Sequence, residues 1–171
     1  MSSYSKLIIF IVVLVLISMA VLFIDSSTDN INKFMPEISD GIVQGDTDYN
    51  EAVELVNNKN FQESMQKAES AGKNYNRSLL KLHEIQSNFS ADVNNIHQEY
   101  ISTAINEVEF KLKAVDSLKE AIECFEIYSN YTGSNYGFEA NDAMDQALEY
   151  QHQRDSIVSD NPNLFKQNFI M

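Results

Sequence analysis

The stretch that decides the fold is residues 61–89, FQESMQKAESAGKNYNRSLLKLHEIQSNF. Positions separated alternately by four and three residues carry mostly apolar or small side chains. These positions are Phe61, Met65, Ala68, Gly72, Tyr75, Leu79, Leu82, Gln86 and Phe89. Side chains with this spacing share one face of an α-helix and pack against a partner helix. The stretch therefore predicts a helix of about 28 residues, roughly 42 Å long.

A second long helix is predicted from about Ala91 to about Asn130. Ser90 is its expected N-cap, and Asp92 lies in its first turn, where a negative charge is favoured by the helix dipole. Lys111 interrupts its apolar face. The face consists of Val93, Ile96, Tyr100, Ala104, Val108, Val115, Leu118, Ile122 and Phe125.

The C-terminal third predicts a loop and then a last helix. Residues 132–137, TGSNYG, have the composition of a loop. A helix is expected over residues 138–159, and residues 161–171 are expected to form a short tail that begins with Asn-Pro-Asn. The side chains that this last helix is expected to bury are Ala140, Met144, Ala147, Leu148 and Ile157.

No stretch shows the sustained period-two alternation of a strand, and five Gly and two Pro are few for a β-sandwich or a barrel. The fold class is therefore all-α. We expect residues 46–160 to form an elongated antiparallel bundle of three to four helices, two of them long. Residues 25–45 precede it as a membrane-proximal kinked helix or linker, because Pro36 and Gly41 weaken their helical pattern.

Residues 7–24, LIIFIVVLVLISMAVLFI, are apolar except for Ser18. Eighteen residues span about 27 Å as a helix, close to the thickness of the hydrocarbon core of a bilayer. Lys6 precedes the segment and acidic residues follow it, so residues 1–6 are expected in the cytoplasm and the domain outside the cell. We therefore expect residues 7–24 to be a transmembrane signal anchor. The alternative is a signal peptide cleaved after Ala20, although the apolar run continues past that point.

The charge of the chain limits its partners. Lys and Arg number 12 against 25 Asp and Glu, a net charge of −13. Nucleic-acid binding depends on neutralising phosphates with Lys and Arg, so we expect no nucleic-acid partner. Residues 120–160 hold nine acidic residues and one base, Arg154, so a strongly anionic surface is expected there. One Cys excludes an internal disulfide and a Cys-based zinc cluster.

A local pattern flanks the dipeptide Lys59-Asn60. The residues that carry it are Ala52, Leu55, Phe61, Ser64, Ala68 and Ala71. Their spacing resembles the helix-turn-helix of a tetratricopeptide repeat, in which a Gly-x-Tyr turn is followed by Ala, a bulky residue and Ala. Here Lys59 stands in the place of the turn Gly, and nothing returns at a 34-residue offset. The resemblance implies a tight helical hairpin, and small residues at a helix crossing explain the same spacing.

Two patterns suggest metal ligands. Asp46, Asp48 and Asn50 fall at the first three ligand places of an EF-hand loop, but Glu51 replaces its required Gly and Asn57 its bidentate Glu. We therefore expect Asp48 to cap a helix instead, with Glu51 completing a capping box.

The second pattern is the pair His83 and His97. If the two long helices turn back around residues 89–90, these imidazoles lie at the same height, with Glu84 and Glu99 close by. Such a group could hold a transition metal or respond to mildly acidic pH. The alternative is that both are solvated polar residues, and we expect no metal or other cofactor.

Three further features concern surface contacts. Tyr128, Tyr131, Tyr136 and Phe138 gather around polar and Gly residues, as in a contact surface or as a cap over the end of the core. Cys124 is a lone thiol that could cross-link two copies or fill space in the bundle. The sequons at Asn76, Asn88 and Asn130 are sites for glycosylation if the host modifies exported proteins.

The sequence contains no constellation of nucleophile, base or cofactor-binding loop, so we expect no enzymatic activity. We expect a single-pass membrane protein that holds an acidic helical domain outside the cell and acts through protein contacts or self-association, as a structural or assembly component of the envelope. The alternative is a ligand-sensing bundle that signals through a separate membrane partner, which would require a polar cavity in the middle of the bundle.

Overall fold

The computed structural model describes residues 21–23, 29–88 and 94–167, with side chains described for 34–88 and 94–165. Four helices make up this part of the chain: α1 (Asp29–Asn57), α2 (Phe61–Ser87), α3 (Asn95–Glu126) and α4 (Asn130–Asp160). Two three-residue strands, β1 (Val21–Phe23) and β2 (Phe165–Gln167), pair antiparallel. The prediction of an all-α helical bundle is confirmed, with this short ribbon as its one addition in the described residues.

The predicted membrane segment, residues 7–24, lies outside the described residues except for Val21–Phe23, which form β1. Among the helices that the structure describes, none is both long enough and apolar enough to cross a bilayer.

The helices pack in chain order. α1 packs along α2, α2 along α3, and α3 along α4, and α3 also contacts α1. Short turns join α1 to α2 and α3 to α4, so the domain consists of a first hairpin (α1 and α2) and a second hairpin (α3 and α4). The faces predicted from the 61–89 and 91–130 patterns are the ones buried, including Tyr75 and Leu82 on α2 and Tyr100, Val108 and Ile122 on α3.

α1 is longer than the sequence predicts. It runs without interruption through the expected boundary between residues 45 and 46 and contains Pro36. Asp48 therefore lies inside a helix, and the prediction that it is an N-cap is wrong. Gly41 and Gly45 support close packing instead of a break, because a Cβ at Gly45 would lie 2.4 Å from the ring of Tyr75.

The prediction of a loop at residues 132–137 is also wrong, again because glycines permit close packing of helices here. These residues form the start of α4, and the turn before it is only 127–129. A Cβ at Gly133 would lie 2.8 Å from the ring of Phe125, so Gly is needed where α4 crosses α3. Only small side chains are buried along α4, namely Gly133, Gly137, Ala140, Ala143 and Ala147.

The start of α3 also differs from the prediction. The N-cap is Asn94, whose side chain accepts a hydrogen bond from the backbone N–H of Ile96 at 2.8 Å. The expected N-cap Ser90 and the first-turn residue Asp92 lie outside the described residues. Asn supplies the same side-chain oxygen that Ser would supply, four residues later in the chain.

Candidate functional site

The turn of the first hairpin is a Schellman motif. The N–H of Asn60 donates to the carbonyl of Leu55 at 2.9 Å, and the N–H of Lys59 donates to that of Val56 at 2.9 Å. Lys59 has φ 60°, the left-handed conformation that this motif requires. The tight hairpin implied by the tetratricopeptide-like spacing is therefore present, and Lys59 holds the backbone conformation usually given to Gly.

The turn of the second hairpin repeats this geometry bond for bond. The N–H of Ser129 donates to the carbonyl of Cys124 at 2.8 Å, and the N–H of Tyr128 donates to that of Phe125 at 3.1 Å. Tyr128 has φ 62°. Lys59 and Tyr128 are 69 positions apart, and the same offset relates every atom pair in the two motifs.

The equivalence extends into the helices. At this offset Glu51-Ala52-Val53-Glu54 corresponds to Glu120-Ala121-Ile122-Glu123. The buried small residues after the first turn, Ser64, Ala68 and Ala71, correspond to Gly133, Gly137 and Ala140, which are also buried. Sequence alone does not reveal this longer internal repeat, because few side chains recur at the 69-residue offset.

The two turns lie side by side at one end of the domain. Phe61, at the start of α2, stacks on Phe125, near the end of α3, with ring centroids 6.5 Å apart. Each hairpin therefore places its turn at this end, and the start of α1 lies at the opposite end. Since α3 has 32 residues, the two ends are about 48 Å apart.

Apolar side chains are exposed at the second turn. We call the group Ile127, Tyr128, Tyr131 and Phe138 the apolar tip; their exposed fractions are 74%, 88%, 81% and 56%. Tyr131 and Phe138 are seven residues apart and so share one face of α4. The interpretation that these rings cap the core is wrong for Tyr128, Tyr131 and Phe138, whereas Tyr136 is half-buried.

The first hairpin has polar residues at all four equivalent positions. Asn58, Lys59, Gln62 and Glu69 stand where the second hairpin has the apolar tip, and all four are exposed. The same backbone turn is thus built with polar side chains elsewhere in the molecule. The fold itself does not require the apolar tip.

A second unusual feature lies in the core. Lys111, which is 1% exposed, forms ion pairs with Asp46 of α1 and with Glu107, whose carboxylate lies 3.7 Å away. Arg154 of α4 places Nη1 3.1 Å from Oε2 of Glu107. This contact lacks hydrogen-bond geometry, and neither oxygen of Glu107 accepts a hydrogen bond. Ion pairing alone therefore compensates this buried carboxylate.

Tyrosines surround these charges. The hydroxyl of Tyr75 donates a hydrogen bond to Asp46 at 2.7 Å. Burial raises the pKa of Tyr75, and the negative charge of Asp46 raises it further. Burial is the largest single influence on the pKa of Arg154 and lowers it, but the acidic groups around the guanidinium, Glu107 foremost, together outweigh burial, so the net pKa is raised. Arg154 also lies over the ring of Tyr100, 5.9 Å from its centroid.

The charged positions of the second hairpin correspond to isoleucines in the first. Ile38, Ile42 and Ile85, which are 1%, 7% and 3% exposed, are equivalent to Glu107, Lys111 and Arg154. The polar groups in the middle of the bundle pair with one another across α1, α3 and α4, so their arrangement holds the two hairpins together. Lys111 shows on the sequence as an interruption, but its partners could not be read from that pattern.

Asp48 points into the interface of the first hairpin. It accepts hydrogen bonds from Ser70 at 2.7 Å, from Asn74 at 3.1 Å and from Lys67 at 3.3 Å. A single buried carboxylate thus connects α1 to successive turns of α2. Residues 46–57 are helical, so they form neither a calcium-binding loop nor a capping box.

The two histidines considered as a possible metal-binding pair have different surroundings. His83 is exposed on α2, whereas His97 is buried on α3 with its ring edge-on to Phe165, 5.4 Å between centroids. Gly72 lies against Val115 and Phe61 against Phe125, so the position level with His83 on α3 is near Thr103. Within the described residues no three His, Cys, Asp or Glu side chains are placed to hold a metal ion.

The remaining surface candidates lie on the helices. Cys124 is half-buried and is a free thiol, and Asn76, Asn88 and Asn130 are exposed. Asn88 caps the C-terminus of α2, and Asn130 begins α4 beside the apolar tip.

Comparison of the chain with protein-family models, with curated proteins and with solved structures gave no match. The functional conclusion therefore rests on the two hairpins and on the differences between them.

Proposed function

We propose that this chain is a membrane-anchored protein-binding component, outside the cell, and that the apolar tip is its contact surface. The observation that carries the proposal is the contrast between the two turns. They share one backbone geometry, but only the second exposes Ile127, Tyr128, Tyr131 and Phe138. Binding, and not catalysis, is the activity that an exposed apolar group of this kind supports.

The choice of side chain at the left-handed position of the turn favours this interpretation. A bulky residue in the left-handed conformation costs roughly 1–2 kcal/mol relative to the usual helical region. Lys59 and Tyr128 both hold that conformation, so its cost is common to the two turns, but only the second turn combines it with a large ring that is 88% exposed. Tyr is enriched at the energetically dominant positions of protein interfaces, where its ring is buried by the partner.

The surface is held on a firm support. Phe125 lies directly below the second turn, where its ring stacks on Phe61 and packs closely against Gly133. The turn itself is fixed by the hydrogen bonds of Tyr128 and Ser129. Because the backbone of the turn is fixed before binding, less backbone entropy is lost when a partner is bound.

The membrane anchor is proposed from the sequence of residues 7–24. α1 begins at Asp29, shortly after this segment, at the end of the domain opposite the apolar tip. An anchored domain would then carry the apolar tip about 48 Å along α3 from its point of attachment. A partner in the envelope or on its outer side could be reached at that distance.

Site-specific photo-crosslinking in the native cell tests the contact surface. A photoreactive phenylalanine analogue is placed at Tyr131 in one variant and at the equivalent Gln62 in another. We expect a discrete cross-linked product from position 131 and none from position 62. Equal products at both positions, or no product at position 131, would contradict the proposal.

A labelling experiment tests the orientation. In a Lys59→Cys variant that also carries Cys124→Ala, the new thiol sits in an exposed turn. We expect a membrane-impermeant maleimide to label it as fully in intact cells as in lysed cells. Labelling only after lysis would show that the domain is not outside.

A further inference from the structure

The charges around the apolar tip are almost all negative. Between Glu120 and Gln153 the chain has no Lys or Arg. The acidic side chains of this stretch that are exposed on the last turns of α3 and the first turns of α4 are Glu120, Glu123, Glu126, Glu139 and Asp142. From the first hairpin the same end adds Glu54, Glu63 and one exposed base, Lys59.

Two of these carboxylates oppose the helix that carries them. Glu123 and Glu126 lie in the last turn of α3, and this turn has no basic residue. Glu123 is matched by Glu54 in the first hairpin, whereas Glu126 stands where that hairpin has Asn57. Acidic residues near a helix C-terminus are unfavourable, because that end carries the negative pole of the helix dipole. The first turn closes with the same backbone hydrogen bonds beside Asn57, so the turn itself does not require the carboxylate of Glu126.

A second copy of this chain is a poor occupant of this surface. Two apolar tips in contact would bring both acidic rims together, on molecules that each carry a net charge of −13. Like charges placed opposite each other at an interface repel and weaken the association. Cationic side chains would instead find carboxylates at the rim and the faces of Tyr128 and Tyr131 at the centre, where cation–π attraction operates.

We propose that the apolar tip binds a segment of another protein in which Lys or Arg side chains accompany apolar anchors; this inference rests on the proposed function. Apolar anchors pack on Tyr131 and Phe138. The cationic groups pair with Glu123 and Glu126 and reach the exposed tyrosine rings. Attraction between the opposite charges also speeds the encounter and falls as salt rises.

The test uses the purified full chain in a neutral detergent and two fluorescent 16-residue peptides, one of alternating Leu and Arg, the other of alternating Leu and Glu. We expect measurable binding of the Leu-Arg peptide alone, followed by fluorescence anisotropy. Glu123→Gln with Glu126→Gln should weaken it about tenfold, in keeping with loss of two charged contacts. The control Glu109→Gln with Glu149→Gln makes the same charge change far from the tip and should alter it less than about twofold.

A third variant tests the apolar contact surface separately from the cationic nature of its partner. Tyr131→Gln with Phe138→Gln leaves the charge unchanged and should weaken binding of the Leu-Arg peptide by more than about tenfold. If this variant binds like the wild type, the apolar tip is not a contact surface and the proposed function is wrong.

If the Tyr131 and Phe138 variant loses binding while the Glu123 and Glu126 variant matches its control, the contact surface stands but the cationic partner is wrong. The proposal of a cationic partner is also wrong if the wild type binds neither peptide or prefers the Leu-Glu peptide. Sedimentation that shows a dimer dissociated by Tyr131→Gln would identify a second copy as the occupant.

Discussion

The two hairpins have one backbone design but different side chains at matching positions. At the turn, the first hairpin exposes Asn58 and Lys59, where the second exposes Ile127 and Tyr128. In the core the first hairpin is the apolar one, because it buries isoleucines where the second buries Glu107, Lys111 and Arg154. The fold accepts either set, so the departures of the second hairpin reveal what folding alone does not require.

The first hairpin is therefore an internal reference for the second. Each substitution in one hairpin has an equivalent 69 positions away in the other, with the same distance from its turn. Effects that appear in only one hairpin identify its special features, and effects shared by both belong to the common scaffold.

The largest difference is expected in the core. Lys111→Met leaves Glu107 and Asp46 without their shared cation and should lower the free energy of unfolding by about 3–5 kcal/mol. Urea denaturation of the full chain in mild detergent, followed by circular dichroism, measures it. Lys113→Met, at an exposed position two residues away, should change it by less than about 0.5 kcal/mol.

A variant that copies the first hairpin sharpens this result. Replacing all four charges together (Asp46→Asn, Glu107→Ile, Lys111→Ile and Arg154→Ile) should recover most of the loss, because no buried charge is left unpaired. A combined variant as unstable as Lys111→Met would show that the ion pairs stabilise the domain in their own right.

The second difference is sensitivity to alkaline pH. Burial raises the pKa of Tyr49, Tyr75 and Tyr100 above the ordinary value of 10.0. Below about pH 10 these hydroxyls are protonated in both states, and above it the unfolded chain loses protons first. Stability should therefore fall as pH rises past about 10, by up to about 1.4 kcal/mol per pH unit for each tyrosine.

Two of the three tyrosines belong to the first hairpin, which gives the control. Unfolding free energies at about pH 9 and pH 11 should differ less in Tyr49→Phe with Tyr75→Phe than in the wild type. Tyr128→Phe with Tyr131→Phe, in the exposed apolar tip, should leave that difference unchanged. If the exposed pair reduced it equally, burial would not be its cause.

The third difference concerns the helix crossings just after each turn. Gly133→Ala forces a methyl group against the ring of Phe125 and should lower stability by about 1–3 kcal/mol. Ser64→Ala, at the equivalent position, loses the hydrogen bond to the carbonyl of Ala52 at 2.8 Å and should cost about 0.5–1.5 kcal/mol. Thermal denaturation compares the two, and a neutral Gly133→Ala would contradict the close crossing described here.

The smallest effect is expected where the hairpins agree. Lys59 and Tyr128 both hold positive φ. Tyr128→Gly and Lys59→Gly should each raise the free energy of unfolding by about 0.5–1 kcal/mol, since Gly adopts this conformation without steric cost. A clear loss of stability for Tyr128→Gly alone would mean that its ring packs on the domain and is not reserved for a partner.

The sequence predicted the parts of this fold that depend on periodic burial. The heptad spacing from Phe61 to Phe89 located the end of α2 within two residues of its observed position at Ser87. Glycines were misleading, because a Gly usually marks a break in a helix, whereas Gly41 and Gly133 here permit close helix crossings. That distinction depends on which side chain lies opposite, and a single stretch of sequence does not contain this information.

The candidate site was only partly visible in the sequence. The cluster of Tyr128, Tyr131 and Phe138 could be recognised, but its exposure depends on where α4 begins. The prediction that His83 and His97 lie at the same height is wrong, because the register between α2 and α3 differs from that of a simple turn at residues 89–90. The equivalence of the two hairpins became visible only through their backbone hydrogen bonds, since few side chains repeat at the 69-residue offset.

The stability of one exchange variant tests most directly whether the apolar tip exists for binding. Ile127→Asn, Tyr128→Lys, Tyr131→Gln and Phe138→Glu together give the second turn the side chains of the first, with no change in net charge. We predict that the full chain unfolds at the same or higher urea concentration than the wild type. A loss of more than about 2 kcal/mol would show that these side chains hold the fold together, and would contradict the account.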